Sequence, residues 1–158
     1  MPIAQAMWIH GHSMNIEHPD RLASVWRAGF FGRIIGRSGQ NTWIHFPVPT
    51  PVIVDDTRLC IESALLRFRT TRDAWVTAVH IYDGETKIAS HDGLEDAPSV
   101  WEVKRFGVPG TPQIQWGIGI SVNVFFDIDP LATEDYWRID FSSAGCDFLS
   151  PDNLTILS

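Results

Sequence analysis

The clearest pattern along the chain is an alternation of apolar and polar residues between positions 113 and 128. Every second position from 114 to 128 is apolar, and the positions between them are mostly small or polar. Because successive side chains of a β-strand point to opposite faces, this pattern predicts a core strand with one apolar face. Trp116 falls on that face and is predicted to be buried. The segment is longer than most strands, so Gly117 and Gly119 predict a bulge or bend within it.

Other segments alternate in the same way or concentrate β-branched and aromatic residues. They predict strands at residues 6–10, 30–35, 42–46, 58–70, 75–82, 86–90, 136–142 and 154–157. The dipeptide Asp83-Gly84 predicts a hairpin turn, and residues 37–40 predict a second one. Helix signals are scarce. Asp20, followed by apolar residues at helical spacing, predicts a short helix over residues 20–27.

Prolines mark one segment as extended but not central. Pro47, Pro49 and Pro51 alternate with other residues, and a proline cannot donate a hydrogen bond to a β-ladder, so the segment is predicted to be a crossover or a sheet edge. Many short strands with turn residues between them, and at most one or two short helices, predict an all-β fold. We expect a single antiparallel β-sandwich domain over residues 1–158, of jelly-roll or immunoglobulin-like type.

Composition and charge narrow the class of protein. The 158 residues are 44% hydrophobic, which is ample for a core, and the net charge is −7. An acidic chain is a poor match for a nucleic-acid backbone or an anionic membrane. No window approaches the roughly 20 apolar residues of a membrane helix, and the first residues lack the pattern of a secretory signal. A cytoplasmic location is therefore the default expectation, with export by another route left open.

The charge is distributed unevenly. Residues 1–79 carry a net charge of +2 and residues 80–158 a net charge of −9. Basic and acidic faces would let the domain pair head to tail with a copy of itself. Alternatively, strands from both halves interleave in the sandwich and the charges mix.

A histidine cluster is the candidate for metal chemistry, whereas the two cysteines are not. Cys60 and Cys146 are too far apart in the sequence for a zinc ribbon and are predicted to be small buried apolar residues. On an extended segment, His10 and His12 share a face, which is one way for a strand to offer two imidazoles to zinc or copper. His18 is the nearest candidate for a third ligand, and an ordinary half-buried or surface pair is the alternative. Further candidates for the third ligand are His45, His80 and His91.

Carboxylates form three small sets, and one of them predicts a weak calcium site. The sets are Asp55-Asp56, then Asp92 with Glu95 and Asp96, then Asp127 and Asp129 with Glu134 and Asp135. The last set could supply oxygen ligands to Ca²⁺ from a loop, although it lacks the glycine and the terminal glutamate of an EF-hand. Solvated acidic turns are the alternative.

The chain has seven tryptophans but only two tyrosines, which is an unusual aromatic composition. Trp43, Trp75, Trp101 and Trp137 are the candidates for exposure, with burial in the core as the alternative for each. An exposed indole next to polar side chains offers a flat surface for a sugar ring, or an anchor for a protein interface.

Three stretches carry a resemblance to a known family. They are residues 43–55 (WIHFPVPTPVIVD), residues 76–84 (VTAVHIYDG) and residues 116–122 (WGIGISV). Together they resemble a family of small microbial proteins that is described only as a domain of unknown function, over about residues 10–148. This resemblance implies no activity.

No catalytic constellation emerges from the sequence: it has no nucleophile elbow, no phosphate loop and no dinucleotide fingerprint. The sequence favours a non-catalytic β-sandwich module that acts by self-association or binding, as a homo-oligomer or as the subunit of a larger assembly, and it requires no cofactor. A carbohydrate-binding module that uses exposed tryptophans is one alternative. A metal-dependent enzyme built on His10 and His12 is the other.

Overall fold

The structure is a computed structural model that describes residues 2–151. Its regular structure is antiparallel β-strand, interrupted by short turns of 3₁₀ helix. The strand predicted at residues 154–157 lies outside the described residues. Within residues 2–151, no helix is long and apolar enough to cross a membrane.

The strands and 3₁₀ turns of the described chain are short and closely spaced. The strands are β1 Gln5–His10, β2 Asn15–Ile16, β3 Leu22–Arg27, β4 Gly32–Gly36, β5 Asn41–Val48, β6 Ile53–Val54, β7 Thr57–Arg58, β8 Cys60–Thr70, β9 Ala74–Asp83, β10 Thr86–His91, β11 Glu102–Gly107, β12 Ile118–Phe126 and β13 Arg138–Leu149. The 3₁₀ turns are Gly11–Ser13, Pro19–Arg21 and Glu134–Trp137.

Two antiparallel sheets face each other, as the sequence predicted. Sheet I has the order β11-β8-β13-β4-β3, with β1 paired to the second half of the long strand β13. Sheet II has the order β10-β9-β12-β5-β2, and β6 with β7 forms a small separate hairpin. Consecutive strands often lie in different sheets, so the chain crosses the sandwich repeatedly. The predicted antiparallel β-sandwich is confirmed.

The core lies between the two sheets and is rich in phenylalanine. Phe46 from sheet II packs edge-on against Phe141 from sheet I, with ring centroids 5.3 Å apart. Phe68, Phe126 and Phe148 are also fully buried. Each fully buried side chain of this size contributes roughly 2–3 kcal/mol through removal of apolar surface from water, so the inner faces fix the packing of the sheets.

The long alternating segment forms a strand only in its central part, Ile118–Phe126. From Ile118 to Phe126 the even-numbered side chains are buried, as predicted. Trp116, predicted to be core, is 75% exposed, and Ile128 is 72% exposed. Residues 115–117 lie outside the strand because their three consecutive backbone N–H groups turn toward the carboxylate of Asp83. An extended strand cannot do this, since its successive N–H groups point in opposite directions.

The helix predicted over residues 20–27 is wrong. After the turn at Pro19–Arg21 the chain forms the edge strand β3. Its pairing with β4 shifts register between Leu22 and Ser24. This bulge lets Leu22 and Val25, three residues apart, both reach the core, and that spacing imitates the face of a helix.

One predicted hairpin is confirmed and the other is wrong. β9 and β10 pair across Asp83-Gly84, and Gly84 adopts the left-handed φ of +56°. The turn at residues 37–40 instead carries the chain from β4 in sheet I to β5 in sheet II. Pro47 belongs to β5 and lies opposite Gly119 of β12. On its other side β5 pairs with β2 only at Ile44 and His45, so among residues 2–151 no strand lies beside Pro47 there. Pro47 thus occupies an edge position.

The cysteine prediction is confirmed. Cys60 and Cys146 are both buried and free. Burial raises the pKa of the Cys146 thiol far above its ordinary value, so this sulfur stays protonated. Both cysteines act as small apolar residues of sheet I.

A buried ion cluster stabilises the outer side of sheet I. Asp140 lies between two core residues of β13 and is fully buried. Arg33 binds it with two hydrogen bonds of 2.7 and 3.1 Å, and Nε of Arg69 donates a third of 2.9 Å. Nε of Arg138 lies 3.8 Å away. Burial acts to raise the pKa of Asp140, but the hydrogen bonds from Arg33 and Arg69 outweigh it and lower the pKa.

We expect Asp140→Asn to lower the free energy of unfolding by about 3 kcal/mol at pH 7, because it leaves the charges of the partly buried arginines uncompensated. The folded-state pKa of Asp140 lies below its unfolded value, so the stabilisation is complete above about pH 3.9 and is lost as the pH falls through the folded-state value. Urea unfolding at pH 7 and well below pH 3.9 measures the free energy of unfolding of wild type and variant. The substitution Asp20→Asn, at an exposed position, is the control. An equal difference between wild type and variant at pH 7 and well below pH 3.9 would contradict the prediction.

Candidate functional site: an outer groove on sheet II

The outer face of sheet II is formed by the side chains of its strands that point away from the core. In β5, β9 and β12 most inward residues are apolar, and their neighbours in sequence point outward. The strand register then sets these neighbours in rows across the sheet. Ser121 of β12 lies opposite His45 of β5 on one side and His80 of β9 on the other. In the next row, Gly119 lies between Pro47 and Tyr82.

Two adjoining cavities on this face form a continuous depression, which we call the outer groove. The first has a volume of about 280 Å³ and is lined by Glu17, Trp43, His45, His80, Tyr82 and Ser121. The second, of about 290 Å³, shares His45, Tyr82 and Ser121 with it and extends to Asn15, Pro47, Gly84 and Gly119. The groove thus runs along the strands, from Trp43 at one end to Gly84 at the other.

One wall of the groove carries three neighbouring polar side chains, those of Ser121, His45 and Glu17. Nδ1 of His45 lies 2.8 Å from Oγ of Ser121. The other ring nitrogen, Nε2, lies 3.8 Å from a carboxylate oxygen of Glu17. Glu17 follows β2, so the short edge strand places this carboxylate at the rim. About two fifths of the His45 side chain remains exposed.

The opposite wall is held by His80. Its Nε2 lies 2.8 Å from Oδ1 of Asp92, and the hydrogen bond with His80 lowers the pKa of Asp92. The imidazole of His80 also lies against the indole of Trp43, with ring centroids 4.9 Å apart. This contact fixes the orientation of the indole at the end of the groove.

The outer face continues beyond Trp43. Thr77 Oγ1 donates a 2.7 Å hydrogen bond to Oδ1 of Asn123, and Trp75 packs against Phe125 with centroids 5.3 Å apart. This face therefore carries both aromatic and polar side chains beside the groove.

Only one of the four tryptophans singled out from the sequence lines the groove. Trp43 does, and Trp75 shares its sheet face. Trp101 lies against Arg69 near sheet I, and Trp137 packs on the core with its indole N–H donating to the carbonyl of Asp127. Each of these four side chains is half-buried. The structure does not bring them together as one surface.

The histidines proposed as metal ligands are partly brought together. The rings of His10 and His12 lie 3.9 Å apart, and Nδ1 of His10 accepts the backbone N–H of His12. The backbone N–H of His18 donates to Oγ1 of Thr42 in another part of the fold. Among residues 2–151, no group of three or more His, Cys, Asp or Glu side chains is arranged to hold a metal ion. The zinc or copper site stays a prediction.

The carboxylates proposed for calcium have local partners. Oδ1 of Asp127 accepts the backbone N–H of Ile128, and Oδ1 of Asp129 accepts that of Leu131. Asp73 lies beside them, and its burial, followed by its hydrogen bond with Asp129, raises its pKa. The calcium site likewise stays a prediction.

Sequence reasoning missed most of the groove. Tyr82 and Ser121 were not singled out, and His45 and His80 were considered only as extra metal ligands. The signal was the alternation itself, because Gly119 and Ser121 fall on the polar face of β12. Joining that face to β5 and β9 requires the strand pairing, which the sequence does not reveal.

Several solved structures are similar to this chain. A cyclase from Fischerella sp. TAU, in complex with 4-(1H-indol-3-yl)butan-2-one, has 10% sequence identity, covers 91% of this chain and 89% of its own, and has a TM-score of 0.50. The protein TmCBM61, in complex with β-1,4-galactotriose, has 12% identity over 94% of this chain and 88% of its own, with a TM-score of 0.45. A mutant of a family 29 carbohydrate-binding module has 8% identity over 90% and 91%, with a TM-score of 0.49. At these identities the likeness extends to the fold alone.

The remaining comparisons concern sequence. No curated protein matches the chain by sequence. A family model does match, over residues 1–151, and its family is described as being of unknown function. This agrees with the resemblance seen in the sequence. The chain belongs to DUF6623, a family of unknown function.

Proposed function

We propose that this protein binds an uncharged carbohydrate in the outer groove of sheet II. The observation that carries the proposal is the combination, in one groove, of the aromatic side chains of Trp43 and Tyr82 with fixed polar side chains. A sugar ring has apolar C–H faces and a rim of hydroxyl groups. An aromatic surface beside oriented hydrogen-bond donors and acceptors complements both features.

One aromatic side chain of the groove, that of Trp43, is held in place before any ligand arrives. Trp43 is half-buried and lies against the ring of His80. Tyr82 lines both cavities, so it sits where they join. A rigid aromatic side chain loses little conformational entropy on binding, and this favours affinity.

The polar part is also positioned in advance. His45 is tied to Ser121, and His80 is tied to Asp92. Glu17, at the rim, offers carboxylate oxygens that accept hydrogen bonds from hydroxyl groups. These groups stand on β-strands and not on long loops, and sites built on such elements hold their geometry well.

The charge of the groove selects against acidic sugars. The described residues that line it include no Lys or Arg, whereas they include Glu17. Binding of a carboxylate or sulfate group relies on such cations. Glu17 is also the sole carboxylate among these lining residues, and glycoside hydrolysis ordinarily uses two. Binding therefore fits the groove better than hydrolysis does.

Self-association, the leading hypothesis from the sequence, is tested by none of these observations and stays a prediction. The same holds for a metal-dependent enzyme based on His10 and His12. Neither the fold nor the comparisons add support to them.

We expect Trp43→Ala to weaken sugar binding by about 2 kcal/mol, roughly thirtyfold in Kd, because it removes an aromatic surface of the groove. A panel of immobilised neutral oligosaccharides that includes β-1,4-galactotriose and cellohexaose identifies a ligand for the wild type. Calorimetry with that ligand then measures the variant. Trp26→Ala, which removes an exposed indole from the edge of sheet I, is the control and should bind as the wild type does. Failure of the wild type to bind any sugar of the panel would overturn the proposed function.

We expect Gly119→Val to abolish binding without loss of stability. A Cβ added at Gly119 meets no atom within 4 Å, so the larger side chain fits the strand but fills the space between Pro47 and Tyr82. A β-branched residue in place of glycine stabilises a strand by up to about 1 kcal/mol. Gly107→Val on sheet I is the matched control, because its Cβ also meets no atom within 4 Å. Calorimetry and thermal unfolding are measured on both variants, and unchanged sugar binding by Gly119→Val would contradict the site.

A further inference from the structure

Trp116 lies at the Gly84 end of the outer groove and is the feature that the proposed function leaves unexplained. Its side chain is 75% exposed. The indole packs over Gly84, where an added Cβ would lie 3.0 Å from its Cδ1 atom. Gly84 itself lines the groove. The exposed indole therefore borders the groove directly.

The backbone that carries Trp116 is held by a buried carboxylate. Asp83 is only 6% exposed and accepts hydrogen bonds from three consecutive backbone N–H groups. The distances are 2.7 Å from Gln115, 2.8 Å from Trp116 and 3.0 Å from Gly117. Burial acts to raise the pKa of Asp83, but these three donors outweigh it and lower the pKa. The carboxylate therefore stays ionised, in the form that accepts these bonds most strongly.

Two more contacts fix the segment on either side. The backbone N–H of Gly84 donates to the carbonyl of Gly117 at 2.9 Å. Nη1 of Arg58 donates to the carbonyl of Ile114 at 2.7 Å. The exposed indole is thus presented by a rigid backbone.

The strand register gives the length of the surface that results. Trp43 lies opposite Asn123 and Tyr82 lies opposite Gly119. These β12 positions are four residues apart, which corresponds to about 13 Å at roughly 3.3 Å per residue. Trp116 extends the line of aromatic side chains beyond Gly119. Such a span exceeds one sugar ring and suits a chain of them.

We propose that Trp116 is a terminal subsite of the outer groove and that the ligand is an extended oligosaccharide whose end ring stacks on this indole. The inference rests on the proposed function and specifies its substrate class. Inner rings of the oligosaccharide occupy the groove beside Tyr82 and Trp43. Asp83 acts as a positioning residue, because it holds the backbone that presents Trp116.

The test is the dependence of affinity on chain length. Calorimetry measures wild type and Trp116→Ala with the disaccharide to hexasaccharide series of the glycan that the wild type binds on the neutral panel. We expect Trp116→Ala to bind the hexasaccharide about tenfold more weakly and the disaccharide with unchanged affinity, because only the longer chain reaches the indole. Trp116→Phe should recover most of the lost affinity, and Trp26→Ala should show none of the effect.

Asp83→Asn should reproduce the selective loss for long chains. A merely structural defect would reduce the affinity for short and long chains by the same factor, and that result would overturn the positioning role. Equal hexasaccharide affinity of wild type and Trp116→Ala, with sugar binding intact, would overturn the subsite alone. Absence of sugar binding by the wild type would overturn both the proposed function and this inference.

Discussion

The inner side chains of sheets I and II are buried against each other, and this burial decides which residues face solvent. Along β12, Ile118 to Phe126 contribute every second side chain to the core. The alternation of a strand then forces the others outward. Since β12 pairs with β5 on one side and β9 on the other, three such sets meet on one outer face. The groove is a consequence of how the core is packed.

The two outer faces of the sandwich have different chemistry. On sheet I, the arginines around Asp140 lie against aromatic rings, with Arg33 over Phe31 and Arg69 over Trp101. In that network the charged groups of the arginines and of Asp140 bind one another. On sheet II, the hydrogen-bonded pairs leave an open groove between them. Polar groups that are fixed in place but still border open space are suited to a ligand.

The end of the groove shows how a buried polar group can support an exposed apolar one. Burial of Asp83 would be unfavourable without partners, and its three backbone donors supply them. Because these donors are consecutive, they bend the chain out of the strand and turn Trp116 outward. This one hydrogen-bond cluster thus explains both the start of β12 at Ile118 and the exposure of the indole.

The class of fold could be predicted from the sequence alone. Its period-two alternation and turn residues indicated an antiparallel β-sandwich, the hairpin at Asp83-Gly84 and the buried state of both cysteines. These are local properties, since alternation and turn geometry depend on neighbouring residues. The same reasoning failed at β3, where a bulge gave helical spacing, and at Trp116, where a long-range hydrogen-bond cluster replaced the strand.

The candidate site emerges only from the tertiary structure. Glu17, His45, Tyr82 and Ser121 come from four separate parts of the chain, and each is an ordinary outward residue of its own segment. Strand order and register bring them together, and both depend on long-range pairing that a local pattern does not encode. Trp43 was a candidate from the sequence, but its role as the end of a groove followed from its contact with His80 across the sheet. The chain therefore specifies its outward residues locally, while the pairing of distant strands determines which of them form a surface.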